Sequence, residues 1–436
     1  MQLEDAKVTT RTLATGLPVV VVPLPHLHRA HVALHVRVGA RFETPETSGI
    51  SHFLEHMLYR GTPKLGSAHE VNLAFEKLGS YFYGATHADF GVFSVTVPPE
   101  CLADAGALFA HVITEPAFYD IDIEKGIVCE EILEDLDDDG RQVDADNLSR
   151  ALIYGAHPLG QTITGSEKTV KSFDKVLLAR HHAKHYVACE SVLSITGAVD
   201  PAAALALAEA HFGAVPKGTP FAYEAPPDTQ KKPRLRIVEN ASSQTELRVC
   251  FRAPGRTAPS RAALDLLMRI IDDGMSTRLY HRICDSQGLC YDVSAGYDGY
   301  EDDGVVDFAA GVLHERTVKV TREILELVSE LAREGPTDDE IAMAKRRHAW
   351  SMRGALDGLE EMADLVALGA LSKGLESPSE RARAIQAVTK AEIVEVARLL
   401  CDPKRLSVVA VGLLKSTEEK ALEALVKGFA GFTKKT

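Results

Sequence analysis

A stretch rich in proline and charge divides the chain of 436 residues near its middle. The stretch, AVPKGTPFAYEAPPDTQKKPR at 214–234, shows neither helical nor strand periodicity, which is typical of a linker. A chain of this length also exceeds the roughly 100–200 residues of one ordinary domain. We therefore predict an N-terminal domain at 1–222, a linker at 223–236 and a C-terminal domain at 237–436.

The first half of the chain combines strands and helices. It opens with two β-branched runs, VTTRTLATGLPVVVVPL and HVALHVRVGARFE, which predict two strands paired with each other. A further strand pair is predicted along YFYGATHADFGVFSVTVP. Helical patterns lie at 69–78, 171–185 and 201–212 and along CLADAGALFAHVITEP and IEKGIVCEEILEDLDD. This order predicts an α+β fold, with mainly antiparallel strands and helices packed on one face of the sheet.

The second half repeats this order. LRVCFRAP is strand-like, RAALDLLMRIIDDG is helical and LCYDVSAGYDGYEDDGVVDFAAGV resembles a hairpin. The halves also close alike, because YVACESVLSITGAVD at 186–200 and LLCDPKRLSVVAVGLL at 399–414 each combine a helix end, a charged turn and an apolar strand. We infer an internal duplication that produces two homologous α/β-sandwich domains.

Charge, hydropathy and cysteine usage exclude several classes of protein. The net charge of −14 disfavours nucleic acid as a partner, since phosphate binding requires clustered Lys and Arg. No apolar run approaches the roughly 18 residues of a membrane span. The N-terminal MQLEDAKVTTRTLATG lacks the pattern of a secretory signal, and the seven cysteines include no CxxC pair. These features predict a cytoplasmic protein with reduced thiols.

The stretch GISHFLEHMLYRGT, residues 49–62, concentrates chemistry on one helical face. Residues three and four apart on a helix are neighbours, so His52, Glu55 and His56 project together from about one turn. Two imidazoles at this spacing can bind one zinc ion, and a carboxylate between them can act on a water that the metal holds. The H-x-x-E-H order is the inverzincin form of the zinc-peptidase motif.

A catalytic zinc site needs a third protein ligand, and IEKGIVCEEILEDLDD is the best source. On a helix Glu124 and Glu131 lie two turns apart on the same face. Glu130 points about 100° away from Glu131, and Glu134 leans toward the face of Glu131. Spacing alone therefore leaves several candidate ligands open.

HFLEH, followed further along the chain by E-x6-E, resembles the pitrilysin family of zinc peptidases, family M16. This family includes insulin-degrading enzyme, mitochondrial processing peptidase and smaller bacterial members. The similarity extends over GARFETPETSGISHFLEHMLYRGT, KLGSYFYGATHADF, EKGIVCEEILEDL, YGAHPLGQTITGSEKTVKSF and GMSTRLYHRICDSQGLCYDVSAGY. The resemblance implies that His52, His56 and Glu131 bind one zinc ion per chain. It also implies that Glu55 is the general base and that Glu124 orients a ligand.

The resemblance further implies how a peptide binds. An extended peptide would pair with an exposed sheet edge beside the zinc, where the backbone of Gly84, Ala85 and Thr86 supplies the hydrogen bonds. Tyr83 stands where family members commonly carry Asn. For Tyr83 and His87, ordinary strand surface is an equally good interpretation.

The second half departs from the family pattern. Relatives present an Arg and, seven residues later, a Tyr that bind substrate and stabilise the transition state. Tyr291 occupies the Tyr position and is predicted to be catalytic, but Cys284 occupies the Arg position. Arg282 lies roughly 200° away round a helix and could replace the expected Arg only after a register shift. Arg278 is equally unproven as a replacement.

Relatives of this length form half of a clamshell chamber, so the resemblance implies a partner chain. The chain would act as a homodimer or as a heterodimer with a second M16-like chain, and Cys284 favours a partner that supplies Arg and Tyr. The leading hypothesis is an endopeptidase for unfolded peptides, in which zinc activates a water and Glu55 takes its proton. A narrower version is a protease that matures one ribosomal peptide precursor. The alternative is a non-catalytic peptide-binding or scaffold subunit of a heteromeric complex.

Overall fold

The computed structural model describes residues 7–372 and 377–431, which divide into two compact units. Described residues of the first unit lie within Met1–Ile132, Gln161–Glu224 and Trp350–Arg381, and those of the second within Leu133–Gly160, Ala225–Ala349 and Ala382–Thr436. Each unit therefore contains a segment from the other half of the sequence. The compact units differ in this respect from the continuous stretches 1–222 and 237–436, which remain a prediction about the duplicated halves.

The secondary structure alternates between strands and helices along the whole chain. The strands are β1 Thr9–Thr12, β2 Pro18–Pro23, β3 Ala30–Val36, β4 Tyr83–Thr86, β5 Gly91–Val97, β6 Ser191–Gly197, β7 Arg234–Val238, β8 Thr245–Pro254, β9 Cys290–Gly299, β10 Asp303–Val312 and β11 Leu406–Val411. The helices are α1 Ile50–Leu58, α2 Ala68–Glu76, α3 Leu102–Thr114, α4 Ile121–Glu134, α5 Ala145–Tyr154, α6 Glu167–Ser172, α7 Lys175–His185, α8 Pro201–Phe212, α9 Arg261–Ile271, α10 Arg278–Tyr280, α11 Thr317–Glu334, α12 Asp338–Gly354, α13 Leu359–Leu371, α14 Pro378–Ala387, α15 Lys390–Leu400 and α16 Ser416–Lys427. In the described part of the chain, no helix has the length and apolar content that crossing a membrane requires.

The sheet of the first unit has the strand order β1-β2-β6-β3-β5-β4. β6 lies between β2 and β3, parallel to β2 and antiparallel to β3. The prediction that the first two β-branched runs pair with each other is therefore wrong. Hydrophobic alternation indicates where strands lie, but pairing across a long sequence separation leaves no local signal.

The sheet of the second unit has the strand order β7-β11-β8-β10-β9. β7 and β11 are parallel, and the other neighbours are antiparallel. This order matches that of the first sheet strand for strand once β1 is set aside. The match supports the inferred duplication, and the mixed α/β fold class is confirmed in both units.

Most of the predicted helices are present, and their starts coincide with capping side chains. Ser67 accepts a hydrogen bond from the Glu70 amide at the start of α2. The helix predicted at 171–185 is in fact two helices, because Asp174 caps a new helix, α7, by accepting from the Leu177 amide. The predicted linker overlaps the first residues of β7, which begins at Arg234.

Helices cover both faces of the first sheet. Phe93 of β5 stacks on Phe82, which contacts Phe109 of α3, so α3 lies on this face. Side chains of a strand alternate between faces, and the neighbouring Val92 packs instead near Ala363 of α13. The prediction placed helices on one face of the sheet only, whereas α13 also covers the opposite face.

Polar contacts also hold α13, which comes from the second half of the chain, on the first sheet. His35 Nε2 lies 2.9 Å from Asp364 Oδ1, and the Thr196 hydroxyl donates to the Leu359 carbonyl at 3.0 Å. The second unit has an equivalent helix, α5, which comes from the first half of the chain. Its Ala145 and Leu148 pack against alternate residues of β11. No sequence pattern indicated this exchange of helices.

We predict that truncating the apolar face of α13 destabilises the first unit. Met362 is fully buried in a cluster with Val20 and Val22 of β2, so Met362→Ala leaves a cavity costing about 2–5 kcal/mol of unfolding free energy. Thermal unfolding measures the loss, with Glu360→Ala on the exposed side of the same helix as the control. Equal stability of the two variants would contradict the packing of α13.

Candidate metal centre and active site

A buried carboxylate fixes the start of α1. Glu43 accepts hydrogen bonds from the backbone amides of Gly49 at 2.8 Å and Ser51 at 2.9 Å. These amides belong to the helix start, where backbone N–H groups have no partner within the helix. Burial raises the pKa of the Glu43 carboxyl to about 7, against the effect of these hydrogen bonds. Glu43 thus determines where α1 begins.

Apolar packing sets the rotation of α1. Ile50, Phe53, Leu54 and Met57 are fully buried and hold one side of the helix in the core. The His52, Glu55 and His56 side chains lie toward α4 and β4, as their contacts described below establish. The helical pattern of the sequence therefore positions three chemically active side chains together.

Two imidazoles and one carboxylate converge at this face. His52 Nε2 and His56 Nε2 are 3.3 Å apart, and Glu131 places one oxygen 3.4 Å from His52 Nε2 and the other 3.6 Å from His56 Nε2. Three ligands about 2.1 Å from a tetrahedral ion are roughly 3.4 Å from one another. The donor set and its spacing therefore fit a zinc ion.

The choice among the acidic residues of α4 follows from their positions. Among the described residues, His52, His56 and Glu131 form the one group of three or more potential ligands close enough to share a metal ion. Glu130 and Glu134 are exposed. Glu124 lies on the far nitrogen of His56 and is not in this group. The structure thus brings together the three ligands that the resemblance implied.

Glu124 orients His56. The His56 Nδ1 atom lies 2.7 Å from a Glu124 oxygen, and the other Glu124 oxygen accepts from Arg60 Nε. A proton on Nδ1 leaves the lone pair of Nε2 free to bind metal. Burial raises the pKa of Glu124, but the bonds from His56 and Arg60 outweigh burial and lower it, so Glu124 is ionised.

The pKa values of the two histidines are shifted in opposite directions. Burial, with His56 beside it, lowers the pKa of His52 to about 3, so His52 is neutral and able to donate a lone pair. Burial also lowers the pKa of His56, but the hydrogen bond and charge of Glu124 outweigh it and raise the pKa. Among the described residues, no hydrogen-bond partner reaches His52 Nδ1.

Glu55 lies on the same helical turn and contacts the edge strand β4. The Thr86 hydroxyl donates a 2.5 Å hydrogen bond to Glu55 Oε2. Burial raises the pKa of the Glu55 carboxyl, and the Thr86 hydrogen bond opposes this rise. Sequence reasoning assigned only the backbone of Thr86 to the site and missed this side-chain contact.

β4 forms the outer edge of its sheet beside Glu55. It pairs with β5 on one side, and among the described residues no strand lies on its other side. A Cβ atom at Gly84 would lie 3.0 Å from Glu55 Cγ, so glycine lets the strand approach the carboxylate closely. Tyr83 is about half-exposed, and Ala85 packs toward the opposite sheet face.

A cleft of about 410 Å³ adjoins the site and contains residues that sequence reasoning missed. Tyr59, Arg60 and Ala68 line it together with Glu55 and His56. Tyr59 and Arg60 follow Glu55 and His56 at four-residue spacing, so the helical period could have indicated them. Burial, followed by the charge of Glu55, raises the pKa of the Tyr59 hydroxyl.

The second unit presents Tyr291 to solvent. Tyr291 on β9 is 94% exposed. Arg282 is engaged by Glu330 at 2.7 Å and by Glu323 at 3.0 Å, and Arg278 makes two hydrogen bonds to Glu340. Both arginines that could have replaced the missing one are therefore held by carboxylates of their own unit.

Two family models match the sequence. The model described as "Insulinase (Peptidase family M16)" matches residues 19–167, and the model "Peptidase M16 inactive domain" matches residues 172–347. An uncharacterized zinc protease of Mycobacterium tuberculosis is 33% identical over 89% of this chain and 90% of the relative. The uncharacterized zinc protease YmxG of Bacillus subtilis is 29% identical over 79% of this chain and 82% of the relative.

Solved structures share the fold. A protease from Helicobacter pylori superposes with a TM-score of 0.86 and 21% identity, covering 94% of this chain and 100% of that one. A peptidase M16 inactive domain from Pseudomonas fluorescens has a TM-score of 0.86 and 22% identity, with 94% of this chain covered. The periplasmic protease PqqL of Escherichia coli has a TM-score of 0.77 and 20% identity, and the match covers 99% of this chain but 51% of PqqL.

We predict that Glu43→Gln lowers thermal stability. Glutamine offers one acceptor oxygen where two amides donate, so one buried hydrogen bond is lost at a cost of about 1–3 kcal/mol. The raised pKa means that the folded protein binds more protons than the unfolded chain between pH 4.5 and about 7, so this contribution to stability falls as pH rises through that window. The variant lacks this titration, so the difference in unfolding free energy between the wild type and the variant should become smaller as pH rises. Calorimetry at several pH values measures both effects, with the exposed Glu46→Gln as the control.

Proposed function

Because the chain belongs to peptidase family M16, we propose that it is a zinc-dependent endopeptidase acting on unfolded peptides. One observation carries the proposal: His52 Nε2, His56 Nε2 and the Glu131 oxygens lie 3.3–3.6 Å apart, on the helix that also bears Glu55. Relatives that are named zinc proteases support this class of chemistry.

His52, His56 and Glu131 would hold the ion. A bound zinc ion would supply a Lewis acid for the scissile carbonyl and would lower the pKa of an attacking water. Glu124 keeps the His56 ring in the tautomer that presents Nε2, and such supporting residues typically account for about 10- to 100-fold in metal affinity. These four residues bind and orient, and they exchange no proton with the substrate.

Glu55 is proposed to move the proton. As general base it takes a proton from the attacking water and then passes it to the leaving amine. Burial raises the pKa of its carboxyl, which makes it a better base, while the Thr86 hydroxyl limits the rise and holds one oxygen in place. Thr86 is therefore a positioning residue for Glu55.

The peptide is proposed to bind along β4. An extended peptide can form backbone hydrogen bonds with Gly84, Ala85 and Thr86 at the outer edge of this strand, where no other strand of the described residues pairs. Gly84 keeps this part of the strand close to Glu55. A peptide aligned there would pass beside the general base, whereas the buried backbone of a folded protein could not pair with the strand.

A second M16-like chain is the proposed partner. The match to PqqL covers about half of that protease, so two chains of this size would supply an equivalent length. The partner would be a second copy or a different chain. Cys284 at the position of the expected Arg, with Arg278 and Arg282 engaged by glutamates, favours a partner that supplies its own Arg and Tyr.

The absence of an arginine at position 284 also supports a second candidate function. Without an arginine to stabilise the transition state, the chain would bind peptides or assemble a complex without cutting. The family model for 172–347 is described as an inactive domain, which agrees with either function because that model covers none of the proposed zinc ligands. Peptide cleavage separates the two candidates.

We predict that Glu55→Gln retains zinc and loses peptidase activity by about 100- to 10,000-fold, because it removes the general base and no ligand. His56→Ala should lose both zinc and activity. Metal analysis and cleavage of a pool of unstructured peptides measure the two properties on the same preparations. Full activity in Glu55→Gln would refute the assignment of the base, and zinc bound without cleavage in the wild-type chain would favour the non-catalytic candidate.

A matched pair of substitutions tests the role of Thr86. Thr86→Val keeps the shape but removes the hydroxyl that bonds Glu55, so kcat should fall about tenfold or more with little change in zinc content. Thr86→Ser keeps the hydroxyl and should retain most of the activity. Equal kcat values in the two variants would show that the hydrogen bond does not position Glu55.

A further inference from the structure

Two cysteines of the second unit face each other across a tight chain reversal. Cys284 lies in the π-helical turn His281–Asp285 that follows α10, Cys290 begins β9, and their Sγ atoms are 3.7 Å apart. Both residues are partly buried against the core of the second unit and keep some solvent exposure, through which small reagents can reach them. We infer that Cys284 and Cys290 are a reversible disulfide site that small-molecule disulfides, such as oxidised glutathione, can oxidise.

The backbone already holds the two cysteines at a suitable distance. The Gly288 amide donates to the Cys284 carbonyl at 2.9 Å, and the Leu289 amide donates to the Ile283 carbonyl at 3.0 Å. Ile283 and Leu289 are buried in the core of the second unit, which fixes the chain next to each cysteine. A disulfide has an S–S distance of about 2.05 Å, so each sulfur must move by roughly 0.8 Å, which side-chain rotation can supply.

An arginine holds the intervening loop from outside. Arg316 donates to the Gly288 carbonyl at 2.7 Å and to the Leu289 carbonyl at 3.1 Å. Gly288 has a φ of +57°, a left-handed conformation that favours glycine and completes the reversal. These contacts therefore hold the chain reversal, with the two thiols close together, in the reduced protein.

The proposed reaction is two successive thiol–disulfide exchanges. The Cys284 thiolate attacks one sulfur of oxidised glutathione, which forms a mixed disulfide and releases one glutathione thiolate. The Cys290 thiolate then attacks the Cys284 sulfur, which forms the internal disulfide and releases the second glutathione. Two protein thiols are oxidised, one glutathione disulfide is reduced, and the two thiol protons pass through solvent to the released glutathiones.

The surroundings of the thiols predict a slow reaction. Burial raises the pKa of both thiols, and burial together with the neighbouring Cys284 raises that of Cys290 to about 12. Since only thiolates attack, little of either thiol is reactive at neutral pH. The Cys284 thiol is the less buried, which is why it is assigned the first attack. The site therefore needs an equilibrium measurement after long incubation.

Oxidation would act on the next residue of the chain. Tyr291 directly follows Cys290 at the start of β9, is exposed, and occupies the position that the family resemblance assigns to substrate binding. A disulfide would tie this end of the strand to the π-helical turn and restrict where Tyr291 can reach. This consequence, which rests on the proposed peptidase function, is a change in KM between the reduced and oxidised protein.

The test incubates the full chain in glutathione buffers of increasing oxidised fraction, followed by acid quenching, thiol alkylation and tryptic mapping. Cleavage after Arg282 and Arg316 places both cysteines in one peptide. We expect both cysteines to lose alkylation together, with a peptide lighter by two hydrogens, and reduction to restore both. Continued alkylation in the most oxidising buffer, or a persistent glutathione adduct on Cys284, would overturn the inference.

Variants separate the internal bond from general thiol reactivity. C284S and C290S should each accumulate a glutathione adduct on the remaining cysteine, whereas C189S, at a partly buried cysteine of the first unit, should form the crosslink as the wild type does. For the regulatory part, KM for an unstructured peptide should differ between reduced and oxidised wild type and should not respond to glutathione in the double variant C284S/C290S, which has no thiol at this site. A crosslink with unchanged KM would overturn the regulatory part. Absent peptidase activity would count against the proposed function, while the mapping still decides the disulfide.

Discussion

The imidazoles of His52 and His56 and the carboxylate of Glu131 meet at one face of α1. The surrounding elements of the first unit must hold these three lone-pair donors close together. Two imidazole nitrogens and a carboxylate at 3.3–3.6 Å repel one another unless a cation or proton lies between them. Burial keeps His52 neutral, so the arrangement favours a metal ion over two protonated histidines. The same burial makes Glu55 a stronger base than an exposed glutamate.

Each reactive side chain is held by a different part of the fold. Glu43 fixes the start of α1 through two backbone amides, Glu124 of α4 fixes the His56 ring, and Thr86 of β4 fixes Glu55. The sheet and the helices on its faces bring these parts together, including α13, which the second half of the sequence supplies. A zinc peptidase needs such preorganisation, because ligands and base must keep their positions while the peptide changes.

Contacts between residues close in the sequence could be predicted from local patterns, and contacts between distant segments could not. His52, Glu55 and His56 share one turn, so helical periodicity alone placed them together. Glu131 could be chosen only by resemblance, because spacing cannot show which face of α4 meets α1. The pairing of β2 with β6, the exchange of α5 and α13, and the Thr86 contact with Glu55 all join distant segments, and local patterns carry no information about them.

Anomalous diffraction at the zinc absorption edge, from crystals of the wild-type chain, tests the proposed metal centre most directly. We expect one strong peak, coordinated by Nε2 of His52, Nε2 of His56 and an oxygen of Glu131, with Glu55 beside the ion but not bound to it. A peak elsewhere, a ligand set that includes Glu55 or Glu124, or no peak from zinc-saturated protein would contradict it.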